Sequence, residues 1–115
     1  MEESRRLAIK TNKGMEFLRM EDILCCVAHG RYTKVITTAG KEYVLSKVLK
    51  EIEQCLPCEE FFRTHKSYLI NLNHLTSYNR HHDYPITLVN DFKILLAKRR
   101  LHDFQDRIND MVHVL

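Results

Sequence analysis

Apolar positions come in short runs, and the period of those runs changes along the chain. Leu7 and Ile9 fall on one side of Arg6–Thr11, which predicts a strand. Asn12-Lys13-Gly14 is a hairpin turn signal, so Met15–Leu18 is predicted to return beside it. Ile23–Ala28 is an apolar run that reads as a buried strand, interrupted by His29-Gly30. Arg31–Thr38 is rich in β-branched residues and predicts a strand. Ala39-Gly40 turns the chain into a partner strand at Lys41–Leu45. The period then becomes helical. Val48, Leu49, Ile52 and Leu56 predict a helix over Lys47–Cys55, capped by Ser46 and stopped by Pro57, with Glu51 and Glu53 facing solvent.

Beyond the helix, Phe61–Arg63, Tyr68–Leu72 and His74–Arg80 read as strands, and Arg80–Asp83 as a polar turn. Pro85–Val89 and Phe92–Leu96 predict a hairpin across Asn90-Asp91. Leu101, Phe104, Ile108 and Met111 make one apolar stripe on a final helix, Lys98–Val112, with Asp103 and Arg107 as an i,i+4 pair on its wet side. The reading is seven or eight short strands, a short internal helix and a C-terminal helix. No strand–helix–strand alternation occurs, so the sheets are predicted to be antiparallel and the class mainly β.

The 115 residues suit one domain, 1–115, able to bury a core without metal or disulfide staples. No run approaches the roughly 20 apolar residues of a membrane span, and the charged N-terminus lacks a secretory h-region. A cytoplasmic protein without a membrane role is therefore expected. Of the four cysteines, Cys25 and Cys26 are adjacent, so on a strand they point to opposite faces. Cys55 and Cys58 form C-L-P-C after a helix, not the strand-to-helix context of a redox pair. Reduced thiols are expected, with no metal site and no cofactor. No H-E-x-x-H, phosphate loop or G-x-S-x-G is present, so no enzyme activity is expected.

Charge distribution adds more than net charge. Ile23–Lys41, Phe61–His82 and Phe92–His102 hold 10 of the 18 Lys and Arg residues and none of the 15 acids. If the fold gathers these windows, a basic face results, suited to an anionic ligand such as a nucleic-acid backbone. The candidates are Arg31, Tyr32 and Lys34 in the first window. Arg63, His65 and Lys66 follow in the second, and Lys98, Arg99 and Arg100 in the third. The last run lies before a helix, whose N-terminus adds backbone donors for phosphate. Solvated surface charge is the alternative in each window. An RNA-binding or protein-interaction β module is the alternative function.

The ungapped stretch Phe61, Arg63, His65, Ser67, Tyr68, Leu69, Ile70, Asn71 resembles the signature of the LytTR family of bacterial DNA-binding domains, roughly F-x-R-x-H-x-S-[YF]-[LIV]-[VI]-N. The likeness runs from about Ile23 to Phe104. Asp22–Tyr32 is similar to the family's D-I-x-[YF]-[IV]-E-A-x-G-N-Y, and Ile94–Arg100 to its I-P-V-S-R-R. The helix after the second hairpin resembles its S-L-x-E-[LI]-E. The resemblance implies an elongated antiparallel β-sheet sandwich that inserts loops into successive major grooves. It also implies sequence-specific binding of double-stranded DNA at paired repeats by a dimer, in the output module of a response regulator. No receiver or sensor domain is read in this chain, so a stand-alone regulator is the other expectation. By the same likeness Tyr32, Lys66 and Arg99 are the base-contacting candidates, one per loop. Three departures bear on the preferred bases. Cys26-Val27 replaces an apolar–acid pair, Arg31 replaces Asn, and Ala97-Lys98 stands where Ser-Arg is common.

Overall fold

The computed structural model describes residues 5–115. Their strands are β1 (Arg6–Thr11), β2 (Gly14–Arg19), β3 (Ile23–His29), β4 (Tyr32–Thr37), β5 (Glu42–Leu45), β6 (Phe61–His65), β7 (Tyr68–Asn71), β8 (Leu75–Tyr78), β9 (Ile86–Leu88) and β10 (Phe92–Ile94). Two α-helices accompany them, α1 (Leu49–Glu53) and α2 (Leu101–Met111). The class is mainly β and every strand pairing is antiparallel, as the pattern predicted.

The strands form three antiparallel sheets. A five-stranded sheet in the order β5-β4-β3-β7-β6 is central. The hairpin β1-β2 and the three-stranded β10-β9-β8 stand apart from it. The molecule is elongated, 46 × 38 × 24 Å along its principal axes. The central sheet is covered on both sides, so its strands carry adjacent apolar residues that serve opposite faces. One core contains Ile36, Phe62, Ile70, the β9 residues Ile86 and Leu88, Ile94 of β10 and Phe104 of α2. The other joins Cys26, Val35, Phe61 and Leu69 to Leu49 and Ile52 of α1, and Leu7 and Leu18 of the hairpin pack against it. Cys25 and Cys26 do point to opposite faces.

Two irregularities shape this sheet. Between Ile23 and Cys25 the register slips against β4, a bulge that lets neighbouring Leu24 and Cys25 enter the same core. A second slip separates Arg63 from His65 against β7, and it leaves Thr64 as the extra residue.

Three expectations need correction. The internal helix is capped by Val48 rather than Ser46 and begins two residues later than predicted. Its first turn holds Glu51, whose Oε1 accepts from the Val48 amide at 3.5 Å, half of the capping-box pattern with Val48 in the N-cap place. The final helix is preceded by a 3-10 turn over Lys98–Arg100. Arg107 does not pair with Asp103. It donates to the Cys58 carbonyl at 2.6 Å, and Asp103 pairs instead with Arg100 at 2.9 Å.

Candidate nucleic-acid interface

Two tight turns and one loop occupy the same end of the central sheet. β3 and β4 are joined by only Gly30 and Arg31, because His29 already pairs with Tyr32. Gly30 has φ of 59°, as a two-residue hairpin requires at its first position. β6 and β7 are joined by Lys66 and Ser67 between the paired His65 and Tyr68. β3 and β7 are neighbours, and the Ala28 amide donates to the Ser67 carbonyl at 2.8 Å, so the two turns lie side by side. Strand spacing puts them about 10 Å apart. The third segment runs along β6. The Ala97 amide donates to the Thr64 carbonyl at 2.8 Å, and Arg100 Nε to the Arg63 carbonyl at 2.8 Å.

Arg63, His65, Lys66, Arg99 and Arg100, together with Glu53, line one open groove of about 350 Å³. The fold thus brings the second and third basic windows into one surface and sets the first beside it. Within this set the side chains divide sharply. Arg63 Nη1 pairs with Glu53 Oε1 at 2.9 Å, while its Nε and Nη2 donate to the His65 and Lys66 carbonyls at 3.1 and 2.6 Å. Arg100 bonds to Asp103 as well as to Arg63, and its guanidinium lies 4.5 Å over the Phe62 ring. His65 Nδ1 accepts from the Ser67 amide at 3.1 Å, which ties its ring to the turn. Lys34 pairs with Glu42 at 3.5 Å. By contrast, among the described residues the exposed side chains of Arg31, Lys66, Lys98 and Arg99 meet no hydrogen-bond or ion-pair partner. Tyr32 is exposed at the end of its hairpin.

The backbone donors expected at the last helix are less available than its sequence implied. The 3-10 turn uses them: the Arg100 amide bonds to the Ala97 carbonyl at 2.9 Å and the Leu101 amide to that of Lys98. The helical pattern places Glu53 toward solvent, whereas it lines the groove. The signal for it was its place on the last turn of a helix that β6 follows, but the sequence does not show that Arg63 reaches back to it.

The description "LytTr DNA-binding domain" fits residues 13–109 of this chain. The chain belongs to the LytTR family of DNA-binding domains. It is 29% identical over 104 residues to the transcriptional regulatory protein NatR of Bacillus subtilis, an alignment that covers 88% of this chain and 44% of that protein. It is 26% identical over 104 residues to the transcriptional regulatory protein LytR of Staphylococcus aureus, covering 89% of this chain and 42% of the other. This LytTR chain thus spans less than half the length of the curated relatives it matches. Its fold superposes with a TM-score of 0.76 on the LytTr DNA-binding domain of a Bacillus cereus chain described as a methyl-accepting/DNA response regulator. That likeness has 21% identity and covers 90% of this chain and 96% of the other, which supports the fold.

Proposed function

We propose that this LytTR domain binds double-stranded DNA sequence-specifically in bacterial transcription regulation, through the loop end of its central sheet. The observation that carries the reading is that Lys66 and Arg99, exposed and unpartnered, line one groove fed by two acid-free windows, with the equally unpartnered Lys98 next to Arg99 in the chain. Arg31 and Tyr32 extend the surface along the sheet end. Unpaired cations on rigid turns suit phosphate and base-edge contacts, since they give up no internal ion pair on binding. In this reading Arg99 reads a base edge, because a guanidinium matches guanine O6 and N7. Lys66 makes a less directional contact. Lys34 and His65 border the site, while Arg63 and Arg100 face it with most of their donors already engaged.

The domain acts as a dimer on paired repeats, either as the output module of a response regulator or as a stand-alone cytoplasmic regulator. Selection from a random duplex library tests this. A repeated consensus, bound with an affinity that falls steeply as salt rises, is the expected result. Enrichment of no sequence, or displacement of a bound duplex by single-stranded RNA, contradicts it.

A further inference from the structure

We propose that Arg63 and Glu53 are positioning residues for DNA recognition, clasping the turn that presents Lys66 and touching no DNA themselves. The proposal rests on the DNA-binding reading above and assigns roles within that same surface.

The β6–β7 turn is unusual for its length. Two-residue hairpins favour turns with positive φ, as at Gly30, because the other turn types splay the strands. Lys66 and Ser67 both have negative φ, since among the described non-glycine residues only Asn90 and Asp91 lie in the positive region. The backbone ladder holds the two strands, and the guanidinium of Arg63 braces the turn itself from the β6 side. It donates to the carbonyls of His65 and Lys66, on either side of the bond that opens the turn. Its remaining edge is fixed by Glu53 on α1, and only a quarter of its side chain is exposed. The bulge at Thr64 completes the arrangement: the Arg63 and Thr64 carbonyls both bond to the segment that carries Arg99. The clasp therefore fixes Lys66 relative to Arg99.

Charge gives a second argument. An acid in an anion-binding groove weakens the field there. Glu53 is consistent with such a groove if its task is to hold Arg63 in place.

Two variants and two readouts test this. In Arg63→Lys the charge stays and the fork of donors is lost. In Glu53→Ala the anchor is lost and an unfavourable charge leaves the DNA face. In the protein without DNA, amide hydrogen exchange at residues 65–68 should rise several-fold in both variants, at melting temperatures that show the fold intact. With DNA, Arg63→Lys should lose several-fold affinity for the selected duplex at unchanged salt slope and clearly less for a scrambled duplex, so that discrimination falls. Glu53→Ala should also bind the selected duplex more weakly, although electrostatics alone makes it bind more tightly. Unchanged exchange in both variants overturns the proposal. So does a Glu53→Ala protein that binds both duplexes more tightly, or wild-type discrimination in Arg63→Lys. A wild-type protein that binds no duplex overturns the DNA reading instead, and the exchange arm still decides whether the clasp exists.

Discussion

Asn71 shows what the residues of the family signature do in this chain. Its side chain is fully buried, donates to the Ile23 carbonyl at 3.0 Å and accepts from the Asn73 amide at 3.0 Å. It thereby satisfies a carbonyl next to the β3 bulge. Asn71→Ala should destabilise the fold by about 1–3 kcal/mol, the cost of leaving buried polar groups unpaired. Urea denaturation should show a lower midpoint at unchanged m-value, and an unshifted midpoint contradicts this role. His65, Ser67 and Arg63 likewise build the turn, so most of the signature is scaffold. The cysteines separate by burial. Cys25 and Cys26 are buried, and desolvation pushes the Cys25 thiol up to about 12 and raises that of Cys26 as well. Cys55 and Cys58 are exposed. A thiol reagent at neutral pH should label those two quickly and the other pair only on unfolding, and four fast labels would refute it. Replacing Cys55 and Cys58 by Ser should leave DNA affinity unchanged under reducing conditions. The opposed faces of Cys25 and Cys26 were legible because strand side chains alternate. The partners of Arg63 and Arg100 were not, since they depend on chain segments 10 and 37 positions away.

At the level of elements, hydrophobic period located nearly every strand and both helices. It missed boundaries where a local bond competes, as at Val48 and in the 3-10 turn over Lys98–Arg100. It also did not show that β8–β10 form a separate sheet, because a pattern of apolar positions does not state which strands pair. That sheet shares a core with the central one, and α2 packs into the same core. Phe104 is buried, with its ring 5.8 Å from Phe62 of β6 and 5.5 Å from Tyr78 of β8. Phe104→Ala should cost about 3–5 kcal/mol. Because α2 continues directly from Arg100, the same change should weaken specific DNA binding. Retained stability on thermal melting would show that Phe104 does not help hold the two sheets together.

For the whole molecule, the central sheet is covered on both faces, and in the proposed reading its loop end is the DNA-binding surface. Acid-free sequence windows foretold a basic face, and the topology explains why they meet: β3 is flanked by β4 and β7, and the 97–100 segment lies against β6. Sequence alone could not divide that face into braced and unpartnered cations. The division makes the central claim measurable. The deciding measurement is affinity of wild type, Lys66→Ala and Arg99→Ala for selected and scrambled duplexes across a salt series. Arg99→Ala should lose about 1–3 kcal/mol on the selected duplex and relax the preference at one base pair. Lys66→Ala should have a mixed effect, weakening the selected duplex more than the scrambled one and lowering the salt slope by about one unit. If both variants keep wild-type affinity and wild-type slope, the loop end of the central sheet is not the DNA-binding face.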